Sequence, residues 1–201
     1  MSQTLAKPLN VVRAAKATAL IATILALVPG VAAAQPRDET VQVCNACHGE
    51  NGVPLEKTIP VIWGQQQGYL YLQLRDYKRG DRKNEPMQAV VADMERNDMM
   101  ALAEYYAQKP WPDLRQPRAP EAVAAQALRA NVALGCTGCH LGEYQGAGTQ
   151  PRLAGQIKEY MAQTMIAFRT GERGNNPGMS DLMKAISEAD IAAAAEYLAG
   201  R

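Results

Sequence analysis

Two pentapeptides constrain this chain more than anything else in it: Cys44-Asn45-Ala46-Cys47-His48 and Cys136-Thr137-Gly138-Cys139-His140. They use all 4 cysteines and both histidines of the 201 residues. Each reads C-x-x-C-H. Two thiols three positions apart stand on one helical turn, where each can add across a vinyl group of one porphyrin. The imidazole that follows turns under the ring and meets the iron. This is the attachment pattern of a c-type haem. A four-thiolate zinc site or a redox dithiol also uses C-x-x-C pairs, but neither accounts for a histidine after both. A redox dithiol would also sit near alternating strands and helices, and no such alternation is present. The expectation is therefore two haem c groups, bound covalently by Cys44, Cys47, Cys136 and Cys139, with His48 and His140 as iron ligands.

An internal repeat organises the rest. The motif recurs at an offset of 92 positions. Pro60, Gly64, Gln65, Tyr69, Tyr77, Gly80, Arg82, Asn84 and Pro86 then recur 91 later as Pro151, Gly155, Gln156, Tyr160, Phe168, Gly171, Arg173, Asn175 and Pro177. The offset returns to 92 from Met87 and Met179 onward, which places the gained residue at Gly178. Two tandem domains are expected, residues 35–108 and 121–201. Residues 109–120 hold four prolines and read as an extended connector. Trp111 within it is expected to be a packing anchor between the domains.

Residues 1–34 read as a signal peptide. Lys7, Arg13 and Lys16 precede an apolar stretch from Ala17 to Val28, and Ala32-Ala33-Ala34 closes it. That order predicts cleavage after Ala34 and export to the periplasm. An uncleaved anchor is the rival, but the apolar stretch is shorter than the roughly 18–20 residues of a spanning helix. No second such stretch follows, so a mature chain without a membrane span is expected. Residues 35–201 keep 18 of the 21 Lys+Arg and all 20 Asp+Glu. Neither half carries the basic stripe of a nucleic-acid binder.

Each copy predicts helix, loop, helix, loop, helix, with no strand signal. The spans are 38–43 and 121–134, then 66–78 and 156–169, then 96–108 and 188–198. Gly80 and Gly171 stop the middle pair, and Ser187 with Asp190 forms a capping-box start for the last helix. Glu95 looks a poorer cap for its counterpart. With one phenylalanine in the chain, each copy has a thin core, which a central haem would fill.

Nine methionines occur. Met94, Met99, Met100, Met161, Met165 and Met183 fit helical packing patterns. Met87 and Met179 differ: they are repeat mates, and each lies 39 residues after its histidine. Each also follows a proline-containing segment that reads as loop rather than helix. They are the expected second axial ligands. A thioether opposite an imidazole favours Fe(II) and leaves no open position, which predicts an electron carrier and not an enzyme. Pro60 and Pro151 are candidates to accept the outer N–H of each histidine. Arg82 and Arg173 are candidates to pair with haem propionates, and equally to be solvated surface groups.

On these motifs the chain resembles the bacterial diheme cytochrome c4 group. The stretches that carry the resemblance are Cys44 to Gly49, Pro151 to Gln156 with Tyr160, Phe168 to Arg173, and Asp190-Ile191 through Glu196-Tyr197-Leu198. It implies an all-α fold of two tandem class I cytochrome c domains, each wrapped around a covalent haem and facing the other about a pseudo-twofold axis. It also implies single-electron shuttling in the periplasm between redox proteins such as a terminal oxidase, reductase or dehydrogenase. A cytochrome subunit of a dehydrogenase complex is the alternative, and a diheme peroxidase a more remote one. Trp63, where the second copy has Ala154, departs from the repeat.

Overall fold

The computed structural model describes residues 35–201, and the expected signal peptide lies outside them. Among the described residues the secondary structure is helical. The first copy runs α1 (Asp38–His48), α2 (Gln67–Arg79), α3 (Glu85–Val91) and α4 (Arg96–Ala107). The second runs α5 (Glu121–Leu134), α6 (Cys136–His140), α7 (Lys158–Thr170), α8 (Pro177–Lys184) and α9 (Glu188–Ala199). The expected middle and closing helices match α2, α7, α4 and α9 to within two residues. None of these residues forms a helix long and apolar enough to cross a membrane.

Three local expectations change. The first helix does not end at Val43: α1 continues through the haem motif to His48. In the second copy Gly135, at φ +66°, breaks the same path into α5 and α6. Glu95 proves an adequate cap, because the Asp98 carboxylate accepts its backbone N–H at 2.9 Å and closes a capping box. Met87 and Met179 do not sit in loops. They lie in the first turns of α3 and α8. Proline in those segments argued against helix, yet Pro86 and Pro177 occupy the first two helical positions, where a missing N–H costs nothing.

The copies build similar cores from different side chains. In the first, Val41, Leu70, Tyr77, Val91, Met99, Leu102 and Tyr106 form one cluster. The Tyr106 hydroxyl ties α4 to α1 by donating to the Val41 carbonyl and the Asn45 side chain. In the second, Leu198 stands at the position of Tyr106. There α5 and α9 pack through alanines, joined by Gln126 donating to Asp190 at 3.0 Å. Met94, Met99, Met161 and Met183 are core residues as expected, whereas Met100 is exposed.

The two halves are locked by a reciprocal clamp. The Gln156 side-chain amide donates to the Val61 carbonyl at 3.0 Å and accepts the Val61 N–H at 2.9 Å. Its repeat mate Gln65 does the same to Arg152, the mate of Val61, at 3.0 and 2.7 Å. Both glutamines are 3 % exposed. Trp111 anchors the connector as expected: Arg152 stacks on its ring, and its indole nitrogen reaches so close to Gly155 (φ +75°) that a Cβ there would lie 2.9 Å away. Gln116 then fastens the connector to the second copy through the carbonyls of Gly155, Gln156 and Ala199.

Replacing Gln156 by Ala strands the N–H and C=O of Val61, which is 1 % exposed. The expected loss is about 2 kcal/mol or more, read as a lower denaturation midpoint of the haem-loaded protein. Gln65→Ala should cost a similar amount, and an unchanged midpoint in both would refute the clamp.

Candidate haem sites

The structure brings every candidate ligand to one continuous cavity of about 1120 Å³. Cys44, Cys47, His48 and Met87 of the first copy and Cys136, Cys139, His140 and Met179 of the second all line it. Its volume exceeds the roughly 300–1,000 Å³ of a single small-ligand pocket. The thiol pairs do not assemble a zinc site: no three His, Cys, Asp or Glu side chains converge among the described residues.

Each histidine is fixed in the same way. His48 Nδ1 donates to the Pro60 carbonyl at 2.8 Å, and His140 Nδ1 to the Pro151 carbonyl at 3.0 Å. A carbonyl accepts only from an N–H, so the proton sits on Nδ1 and the Nε2 lone pair is free for a metal. Burial lowers the pKa of both imidazoles, and the carbonyl bonds offset it only in part. Burial also pushes the Cys44 and Cys136 thiols up, opposed at Cys44 by a hydrogen bond with Tyr106. Thiols shifted that way are poor redox-dithiol nucleophiles.

The chain must turn sharply after each histidine to bring that proline carbonyl back. In the first copy Gly49 makes the turn at φ +87°, ψ 138°. In the second the position is Leu141, at φ +66°, ψ 168°. That region belongs almost wholly to glycine, so the second site carries strain that the first does not.

The backbone at each methionine is clipped by the residue that caps its helix. The Asn84 side chain accepts the Met87 N–H, and Asn176 the Met179 N–H, both at 3.1 Å. At the other end of the segment, Lys78 donates to the Met94 carbonyl, and its mate Arg169 to the carbonyls of Met183, Lys184 and Ile186. The caps also correct the repeat. Asn84 corresponds to Asn176, so the residue gained by the second copy is Asn175 and not Gly178.

Arg82 and Arg173 are not solvated surface groups. They are 9 % and 7 % exposed, line the cavity, and lie over the rings of Tyr77 and Phe168. Each crosses to the other copy, Arg82 to the Tyr160 hydroxyl at 3.2 Å and Arg173 to that of Tyr69 at 3.5 Å. Burial would raise the Tyr160 pKa, but Arg82 and Arg173 outweigh it and lower it to about 7. Two thiols, a free imidazole nitrogen and a thioether from each copy, lining one cavity with two buried guanidinium groups, form a donor set that suits a pair of covalent haems.

Comparison with known proteins bears on this arrangement. Residues 122–201 match the cytochrome c family. The chain is 33 % identical over 176 residues to cytochrome c4 of Azotobacter vinelandii, covering 79 % of this chain and 84 % of the relative. It belongs to the cytochrome c4 family. The thiosulfate dehydrogenase electron acceptor of Stutzerimonas stutzeri is 32 % identical over 169 residues, 78 % of this chain and 77 % of that one. A solved structure of cytochrome c4 from Acidithiobacillus ferrooxidans superposes with a TM-score of 0.72 at 29 % identity, covering 80 % of this chain and 99 % of that one. Like its relatives, this member of the cytochrome c4 family is a diheme electron-transport protein of two tandem class I cytochrome c folds, with haem c as its cofactor.

Sequence reasoning missed Gln73, Asp76 and Asn175, which meet where the two copies touch. The Gln73 side-chain oxygen accepts from Arg82, Arg173 and Asn175 at 2.9, 2.8 and 3.2 Å. The one signal for them was the change of repeat offset beside Asn175.

Replacing Leu141 by Gly should relieve the turn after His140 by about 1–2 kcal/mol, read as a higher thermal midpoint. Gly49→Leu should lower it, since a Cβ there would lie 2.0 Å from the Val53 carbonyl oxygen.

Proposed function

We propose that the chain is a soluble periplasmic carrier of single electrons, with residues 35–108 and 121–201 as its domains and both irons closed by a histidine and a methionine. Haem, when bound, supplies an iron that cycles between Fe(II) and Fe(III). The residues do the rest. His48 and His140 present Nε2 because Nδ1 is committed to a proline carbonyl. Met87 and Met179 present thioethers from capped first turns, on short segments held at both ends. A thioether ligand favours the reduced state and raises the potential, and a filled position excludes oxygen and peroxide chemistry. Arg82 and Arg173 are placed to meet propionate carboxylates, with charge-assisted bonds the strong ones available to them.

The observation that carries this reading is the shared cavity, which both sets of ligands line. Such an arrangement suits passage of an electron from one site to the other, and then to a redox-protein acceptor such as a terminal oxidase or reductase. The second reading, electron acceptor of a dehydrogenase, is favoured by the similarity to the thiosulfate dehydrogenase acceptor. The two readings share their internal chemistry and differ in whether a stable complex survives gentle purification from the native source.

The test is a spectroscopic redox titration of haem-loaded protein. Two one-electron steps and a methionine-to-iron charge-transfer band in both ferric haems are expected. Met179→Ala should keep covalent haem while lowering one potential and removing half of that band. An unmoved potential would show that Met179 is not a ligand, and a high-spin ferric haem that binds cyanide readily in the unaltered protein would overturn the carrier reading.

A further inference from the structure

The reciprocal contacts between the copies are broken where α2 meets the segment before α8, and two independent sequence differences meet there. Asp76 lies on α2 of the first copy and is 4 % exposed. Its repeat mate on α7 is Ala167, which carries no charge. Asn175 is the residue gained by the second copy, lying immediately before the Asn176 cap that holds Met179. Its side-chain amide donates to Asp76 Oδ2 at 2.8 Å. The carboxylate's other partner is the neighbouring Arg75, at 2.7 Å, whose side chain is 36 % exposed against 5 % for Asp76. So the added residue of one copy reaches the added charge of the other.

We infer that Asp76 makes the two haem sites electrically unequal, acting most on the site that holds Met179. The inference rests on the electron-carrier reading above. A carboxylate sheltered from water interacts with other charges more strongly than an exposed one, and Asp76 lines the cavity that holds both sets of ligands. Oxidation adds one positive charge at an iron, which a nearby negative charge favours. Asp76 therefore lowers potentials, and it has no counterpart to do the same from α7. Its link through Asn175 runs directly to the segment that positions Met179, whereas no hydrogen bond joins it to Asn84, the cap of Met87. Arg75, the partner of Asp76, also has an uncharged mate in Ile166, but its side chain is 36 % exposed against 5 % for Asp76, so water screens its charge more. Arg82 and Arg173, also at this junction, are related by the repeat. Arg173 reaches Asp76 through Asn175, whose side-chain oxygen accepts from its Nε at 3.0 Å, and Arg82 reaches it through its backbone N–H on the Asp76 carbonyl. As repeat mates they place one positive charge in each copy, so their charges balance where that of Asp76 does not.

The experiment is a spectroelectrochemical titration of haem-loaded Asp76→Asn, with the Met179 site assigned by the Met179→Ala variant. Both midpoints should rise, that of the Met179 site more, so that the distribution of a single electron between the sites shifts several-fold toward it. Asp81→Asn removes a half-exposed carboxylate of the same copy, paired with Arg79, and should leave the distribution nearly unchanged. If Asp76→Asn does not load both haems, Asn175→Ala replaces it. That variant keeps the carboxylate but removes its donor from the second copy, and should lower the Met179 midpoint. A midpoint separation equal to that of the unaltered protein, or an equal response to Asp81→Asn, overturns the inference. The electron-carrier reading fails separately, by the loss of the charge-transfer band or of one-electron behaviour.

Discussion

The reciprocal amide clamp of Gln65 and Gln156 is the constraint on which the arrangement of the two sites depends. Each glutamine satisfies both backbone groups of one residue in the other copy. Val61 and Arg152 directly follow Pro60 and Pro151, the residues whose carbonyls orient His48 and His140. The clamp thus grips the two copies one residue away from the atoms that aim the imidazoles. Separating the copies would strand buried backbone donors and acceptors, each costing about 1–3 kcal/mol. Inter-site geometry is therefore fixed by backbone hydrogen bonds and does not rely on the stiffness of the connector. The connector is itself held down by Gln116 and Trp111.

The same economy governs each methionine. In the proposed ligation a thioether sits on a flexible side chain, so its position has to come from the backbone that carries it. The caps Asn84 and Asn176 fix the first turn, and Lys78 and Arg169 hold the carbonyls where the segment ends. A short helix of seven or eight residues would be marginal alone. Here it is pinned by side chains at both ends, and the basic ones also suit the negative end of the helix dipole.

Most of this was legible before the structure. The spacing of Cys44, Cys47 and His48 specified the chemistry, and the repeat located the carbonyls of Pro60 and Pro151 and the long closing helices. What stayed hidden had physical causes. Proline at Pro86 and Pro177 reads as a breaker unless the cap before it is known, so α3 and α8 passed for loops. Gln65 and Gln156 stood out as repeat mates, but a repeat cannot say whether a shared residue serves its own copy or the neighbouring one. Arg82 and Arg173 were ambiguous for the same reason: each makes a hydrogen bond to a tyrosine of the other copy. Asn175 was misaligned because matching prolines outweighed matching caps.

A repeated domain that joins itself through equivalent residues would present two equivalent sites, and an electron would have no preferred resting place between them. Directional transfer needs that equivalence broken without breaking the interface. This chain does so at positions that leave the clamp untouched: Leu141 for glycine after one histidine, Phe168 for Tyr77 under one arginine, and Asp76 against the inserted Asn175. Leu141 changes backbone strain and Phe168 removes a hydroxyl, both neutral alterations. Of these three only Asp76 changes charge, and charge is the property that acts over the distance between two sites in a protein interior.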